Sequence, residues 1–482
     1  MIDEDLASRF ARERVRAGSL ALAAELAAIE WITDARVERL SQDFHWYSPV
    51  LARRLGALRA DAVARPKNEA EIRAVVARCA QRDLPITLRG SGTGNYGQCM
   101  PLHGGVIVDF GACGRLLRHE GPIARAEAGI RMIEFDRRTQ PAGWELRCVP
   151  STFRSATLGG LYGGGFGGVG SINYGPLAAP GNVLAVKALT VEPEPRTVEL
   201  AAPDALLLHH VYGTNGIVLE LEVALAPAYP WAEAIVNFDD FDAAIAFAST
   251  FAAAPGLVKK EVALLAAPIP ALVQQAQPWL AGSTPAGGHA VYAVVADFAC
   301  TGFEAMVSEF GGAIGYRKSA AEAKATPRTI VEATWNHTTL HAMKAERGLT
   351  YIQSGFDAAR HVEQAKALRE LLGDEVLVHL EWIRTREGAL TCSGLQLVRY
   401  RSEERLDELM QIHRDHGVAI ANPHVYIVED GKQGRINPAV VAMKARFDPQ
   451  GLLNPGKLRG WDERDALAAA GGAADLATLP AF

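Results

Sequence analysis

Long apolar runs, paired cysteines and basic clusters are all missing from this chain, and each absence removes a class of function. No apolar stretch reaches the roughly 20 residues that a membrane-crossing helix needs. The N-terminus, MIDEDLASRFARERVR, opens on acids and lacks the apolar centre of a secretory signal. A cytoplasmic protein without a membrane span is therefore expected. The six cysteines, Cys79, Cys99, Cys113, Cys148, Cys300 and Cys392, are scattered, with no CxxC or metal-ligand spacing. They read as reduced thiols rather than a disulfide framework. Lys and Arg number 49 against 55 Asp and Glu, for a net charge of −6. Without a basic run, neither nucleic acid nor anionic membrane is indicated as a partner.

A soluble-type composition is present instead, with 49% hydrophobic and 22% charged residues in 482. At about 100–200 residues per domain, that length suggests two or three domains. Residues 1–57 read as a helical extension, with helix formers at helical spacing in SLALAAELAAIEWI. Asn68 is the expected N-cap of a helix whose Ile72, Val75, Val76 and Cys79 share one face. LPITLRG, GGVIVDFG, NVLAVKAL and GIVLELEVAL read as strands, and residues 58–230 form one domain. Residues 231–430 alternate helical stretches such as FDAAIAFASTFAA with strands such as HAVYAVVADF, EVLVHLEWIR and SGLQLVRY. An α+β domain with a mostly antiparallel sheet follows. Residues 431–482 form a C-terminal segment, of which the last 20 or so, rich in Ala and Gly, read as partly disordered.

Glycine carries the strongest signal, concentrated in two segments. Arg89-Gly90-Ser91-Gly92-Thr93-Gly94-Asn95-Tyr96-Gly97-Gln98 follows a strand. Its glycines let successive backbone N–H groups converge on one concavity, which suits a pyrophosphate. Gly92–Gly97 also fits GxGxxG, but a dinucleotide fold needs those glycines to open a helix. Gln98-Cys99-Met100-Pro101 cannot begin a long one. The second segment runs from Thr157 through Gly159, Gly160, Gly163, Gly164, Gly167 and Gly168. So much glycine destabilises regular structure, and a planar ligand against bare backbone would compensate. A flexible linker is the plain alternative, although linkers lack the interleaved Leu, Tyr and Phe.

Four strings, RPKNEAEIRAVV, LPITLRGSGTGNYGQ, PSTFRSATLGG and YGTNGIVLELEVAL, with FDPQGLLNPGKL near the C-terminus, resemble the vanillyl-alcohol oxidase / p-cresol methylhydroxylase (PCMH-type) class of FAD enzymes. Within that class the glycolate oxidase and D-lactate dehydrogenase type is the nearest resemblance. The resemblance covers about residues 60–230 and 440–458. It implies a two-subdomain FAD-binding domain, a cap domain over the reactive face of the flavin, and a C-terminal return to the FAD domain. It places the pyrophosphate on Gly90, Ser91, Gly92, Thr93 and Gly94, with Arg89, Asn95, Gly97 and Gln98 also among the cofactor-binding residues. The isoalloxazine and ribityl fall to Gly159, Gly160, Gly163, Gly164, Gly167 and Gly168, with Pro150, Ser151 and Thr157 also among the cofactor-binding residues and Asn173 and Tyr174 lining one face of the ring. Gly216, Ile217 and Val218 should contact the adenine or ribityl side, and Asn454 and Lys457 should bring a turn near the ring. Thr93 stands where some relatives attach FAD through histidine, so non-covalent FAD is expected, with Cys148 a buried structural thiol.

Oxidising an alcohol carbon requires hydride transfer to flavin N5 and removal of the hydroxyl proton by a base. His424 and Tyr426, just before the return segment, are candidates, as are His337 and the His379/Glu381 pair on one face of a strand. Tyr351 is a further one. His337/His341 and His413/His416 have spacings that allow metal binding, though surface polarity accounts for the second pair more simply. No HxGDGNxH string occurs, and no metal site is assigned. The leading expectation is an FAD-dependent oxidase or dehydrogenase acting on a 2-hydroxy acid or related secondary alcohol. The alternatives are oxidation of a larger aromatic or polyol alcohol, a metal-dependent hydrolase using His337, His341, His379 and Glu381, and a non-catalytic binding protein. Its partners would be a small hydroxylated substrate and an acceptor such as oxygen, quinone or cytochrome, with a homo-oligomer possible by sequence.

Overall fold

The computed structural model describes residues 4–464, and the Ala- and Gly-rich tail expected to be partly disordered lies outside them. Three sheets build the molecule. The first has four strands in the order Glu30–Ile32, Ala62–Arg65, Val106–Asp109, Ile86–Arg89. The last three are parallel to one another. Val106, Ile107 and Val108 are fully buried, as a parallel strand covered on both faces requires. Asn68 caps Glu69–Gln81 as expected, its side chain accepting from the Glu71 amide at 3.0 Å. Residues 1–57 are more than a helical extension, because Glu30–Ile32 adds an antiparallel edge strand to this sheet. The period of the surrounding helices hides so short a strand.

The second sheet has six antiparallel strands. Leu116–Glu120, Ile123–Glu127, Ile217–Pro227, Val183–Leu189 and Thr197–Ala201 lie in that order, and Trp144–Leu146 pairs with the far end of Ile217–Pro227. One apolar core joins these two sheets. The C-terminal segment returns to them: the Ile86 amide donates to Leu452 O at 2.8 Å and the Asn454 amide to Ile86 O at 2.7 Å.

The third sheet is antiparallel throughout and has nine strands. Its centre runs His289–Ala296, Lys259–Leu265, His379–Arg384, Leu390–Arg399, Leu349–Gly355. Helices Phe241–Ala253, His361–Leu372 and Glu403–Asp415 cover one face. The other face carries Tyr292, Tyr351 and Leu397. Trp335, Ile383 and Leu395, from this half of the chain, pack into the core of the first two sheets. Among the described residues no helix is long and apolar enough to cross a membrane.

Candidate cofactor and substrate site

The two glycine segments meet. A Cβ on Gly90 would lie 2.2 Å from Thr157 Oγ1 and 3.5 Å from Gly160 Cα, so only glycine permits this approach. Gln98 ties the segments again, its side-chain amide donating to Gly164 O at 3.1 Å. Ser91 Oγ donates to Ser155 O. Gly92 has φ +65°, open chiefly to glycine, and its α-carbon backs onto the Arg89 guanidinium. As expected, no helix follows, and residues 90–100 are irregular.

The second segment differs from expectation. Leu158–Gly164 is helical, with Thr157 as N-cap, its Oγ1 accepting from the Gly160 amide at 3.1 Å. Three internal glycines would destabilise an isolated helix by about 1 kcal/mol each. Burial of Leu158, Leu161 and Tyr162, together with the cap, outweighs that cost. The amides of Leu158 and Gly159 donate to Ile130 O and Ala128 O at 2.9 and 2.7 Å, so this helix start is spent inside the protein. By contrast, the amides of Ser91, Gly92, Thr93, Gly94 and Asn95 donate to no acceptor among the described residues. Five successive unused donors between glycines make a cradle for an anion such as a pyrophosphate. Gly163 presents bare backbone, with no atom within 4 Å of a would-be Cβ. The residues present fit FAD.

Other expected contacts hold the cradle rather than face it. Arg89 donates to Gln42 O at 2.8 Å and is buried. Asn454 Nδ2 donates to Gln98 O and Tyr212 O, both at 2.7 Å. Lys457 Nζ donates to the carbonyls of Gly97, Gln98 and Met100, and burial depresses its pKa to about 8. Asn173 Nδ2 donates to Lys259 O at 2.6 Å and so joins the halves of the molecule, while Tyr174 packs under Arg147 within the flavin half. Gly216 packs against Phe447 and Ile217 is fully buried, while Val218 continues the strand. Ser151 is buried beside half-buried Pro150. Cys148 is buried 3.5 Å from Ser171 Oγ, and burial raises its thiol pKa to about 11.

The base candidates fare unequally. His424 uses both ring nitrogens, Nδ1 with Ser48 Oγ and Nε2 with Tyr351 O, each at 2.8 Å. The carbonyl requires Nε2–H, so Nδ1 accepts from Ser48, and no lone pair is left for a substrate. Burial depresses its pKa to about 4. Tyr426 is half-buried in an apolar cluster with Leu51 and Leu55. His337 lies on Asn336–Ala345, and burial depresses its pKa to about 4. His379 and Glu381 do meet, Nε2 to Oε1 at 2.8 Å, under full burial. The four residues of the hydrolase alternative thus divide between one helix and one strand. His413, expected at the surface, is instead fully buried, bonded to Leu409 O at 2.7 Å and to the Gln396 amide. One turn of Glu403–Asp415 faces the sheet, which spacing alone does not reveal.

Sequence reading missed a second cluster. Arg386, in the hairpin between His379–Arg384 and Leu390–Arg399, interacts electrostatically with His209 and His210, and so does Lys432 of the C-terminal segment. Burial, then repulsion from Arg386, lowers the Lys432 pKa, and burial lowers that of Arg386. The Lys432 side chain is nevertheless exposed to solvent. Arg386 Nε has no partner, and neither cation forms an ion pair among the described residues. The nearby Glu429 is engaged, accepting from the amides of Arg459 and Gly460 at 3.0 and 2.9 Å. His210 joins this cluster to the second glycine segment, its Nδ1 lying 3.1 Å from Gly165 O. The only sequence signal was the doublet His209-His210 before YGTNG.

Comparison with known proteins agrees with this geometry. Residues 60–198 match the FAD binding domain family. The chain is 23% identical over 439 residues to the glycolate oxidase subunit GlcD of Bacillus subtilis, covering 85% of this chain and 91% of the relative. It is 34% identical over 154 residues to D-2-hydroxyglutarate dehydrogenase of Escherichia coli, covering 29% of this chain and 14% of that protein. D-lactate dehydrogenase of Archaeoglobus fulgidus is 24% identical over 174 residues, or 35% of this chain and 38% of that one. The fold matches a solved alkyldihydroxyacetonephosphate synthase with a TM-score of 0.66 at 15% identity, covering 91% of this chain and 84% of the other. Residues 60–198 are an FAD binding domain of the PCMH type, and the chain is an FAD-dependent oxidoreductase built on it.

Proposed function

We propose that this chain oxidises a 2-hydroxy acid, with the substrate carboxylate held by Arg386 and Lys432 and the hydroxyl proton taken by His210. The observation that carries this reading is the convergence of two cations, from separate segments, with no ion-pair partner among the described residues. Two cations held near one another without an anion repel, and a ligand carboxylate offsets that repulsion. Arginine also offers it a bidentate, charge-assisted contact. FAD, when bound, accepts the hydride from the carbinol carbon.

His210 supplies what His424 lacks. Gly165 O fixes the proton on Nδ1, so the ring lone pair is on Nε2. Burial and the charge of Lys432 depress the pKa of His210 to about 3. A bound carboxylate offsets that charge and makes the ring more basic when substrate is present. The names of the relatives support the same class, although the chain spans only 14% of the D-2-hydroxyglutarate dehydrogenase and 38% of the D-lactate dehydrogenase.

The test is anaerobic reduction of the FAD-loaded protein by short 2-hydroxy acids of both enantiomers and by the matching uncharged alcohols. The acids should reduce the flavin roughly 10²-fold faster at equal concentration, the scale of one or two charge-assisted bonds. Equal rates with the alcohols, or reduction by aromatic or polyol alcohols alone, would replace this reading with the larger-alcohol one.

A further inference from the structure

A stretch of residues 327–336 bridges the two halves of the molecule and is fastened on both sides. From the flavin domain, Arg154 donates to Glu332 Oε1 at 2.7 Å and also to Pro327 O. From the third sheet, Glu381 Oε1 accepts from the Trp335 amide at 2.6 Å and from His379 Nε2 at 2.8 Å. Between these ties Trp335 adopts φ +52°, ψ −141°, a conformation that L-residues rarely hold. Its indole is buried within the flavin-domain core. The ring atom Cη2 lies 3.6 Å from where a Cβ on Gly167 would stand, and the indole side chain interacts with the buried Glu261 carboxyl.

A strained backbone of this kind persists only where its surroundings over-determine it, and the buried carboxylate of Glu381 is the group that does so. Glu261, also buried, lies beside it; burial raises both carboxyls above their usual range, and the charge of Glu381 raises Glu261 further, while hydrogen bonds from Glu261 and from the Trp335 amide draw Glu381 back down. Two contacting buried carboxylates do not both ionise. Glu381, which accepts from two N–H donors, is the first of the two to ionise, and Glu261 stays protonated. We infer that Glu381 is a positioning residue for the cofactor: by fixing the Trp335 amide it sets the indole as a wall of the chamber in which the isoalloxazine lies beside Gly167. This rests on the flavin lying along the second glycine segment, and it is independent of the class of substrate.

The experiment reads the flavin itself, in FAD-loaded protein without substrate. An indole against an isoalloxazine quenches its fluorescence by electron transfer. Trp335→Phe should therefore raise flavin fluorescence severalfold. Glu381→Leu, of similar bulk but unable to accept from the Trp335 amide, should raise it comparably, and the double variant should add little. Glu381→Gln keeps an acceptor oxygen and should stay near the wild-type level. Unchanged fluorescence in Trp335→Phe overturns the wall. A rise in Trp335→Phe without one in Glu381→Leu overturns the part given to Glu381, as does a rise in Glu381→Gln as large as in Glu381→Leu. Amide hydrogen exchange of the wild-type holoprotein tests the contact without any variant. Protection of the Trp335 amide is expected, and rapid exchange overturns the proposal even if Glu381→Leu does not fold.

Discussion

The two sides of the cleft recognise by different means. On the flavin side, residues 90–98 and 157–168 offer backbone: unused amides at Ser91–Asn95, a bare helix face at Gly163, and glycines where any side chain would collide. On the proposed substrate side, recognition would fall to side chains from distant segments: Arg386, Lys432 and His210. Backbone recognition suits a cofactor whose phosphates and planar ring do not change. Side-chain recognition suits a substrate, because each group can be replaced without disturbing the fold.

That contrast can be broken from either side, and the largest effect is expected on the backbone. Gly90→Val puts a branched side chain where Thr157 Oγ1 stands 2.2 Å from the Cβ position. FAD affinity should fall at least about 100-fold, read as loss of the flavin absorbance after gel filtration. Full retention of FAD would falsify the cradle. Arg386→Ala should leave FAD content unchanged and lower kcat/KM for a 2-hydroxy acid by about 10–10²-fold. A comparable loss with an uncharged alcohol would mean that the arginine does not read the carboxylate.

A third variant tests the seam between the two sides. Asp136 is half-buried near Glu145 and near Lys260 of the third sheet, and Lys260 Nζ lies 2.7 Å from Glu145 Oε1. Burial raises the Asp136 pKa from 3.8 to about 7. A carboxyl raised on folding binds more protons folded than unfolded, so its contribution to stability is lost as pH rises from about 4 to 7. Asp136→Asn, still able to accept from the Leu146 amide, should raise Tm by a few degrees at pH 8 and hardly at pH 4. A pH-independent difference would count against the burial argument. The smallest effect is expected at His424. With both nitrogens engaged, His424→Asn should change the rate of flavin reduction less than about 3-fold while lowering Tm. A loss of 100-fold in that rate would restore it as the base.

Legibility followed the same division. Asn68 as N-cap, the strand Ile86–Arg89 and the closure onto Gly90–Gln98 were readable because capping, alternation and glycine density are local. The helix at Leu158–Gly164 was not, since glycine composition argues against it and only burial of Leu158, Leu161 and Tyr162 favours it. His424 looked catalytic by its place near the domain junction, and only its partners Ser48, 376 residues away, and Tyr351 show its lone pairs to be committed. Arg386 and Lys432 gave no local signal because neither belongs to a motif.

By itself the sequence determined the elements, the two glycine segments and the cofactor class, because those depend on backbone freedom and on periodicities of a few residues. Only the tertiary structure decided which charges stand unpaired, which histidine has both nitrogens committed and which tryptophan is bent against Gly167. Those properties arise between residues tens to hundreds of positions apart, where burial and Coulombic fields, not neighbours in the chain, set the chemistry.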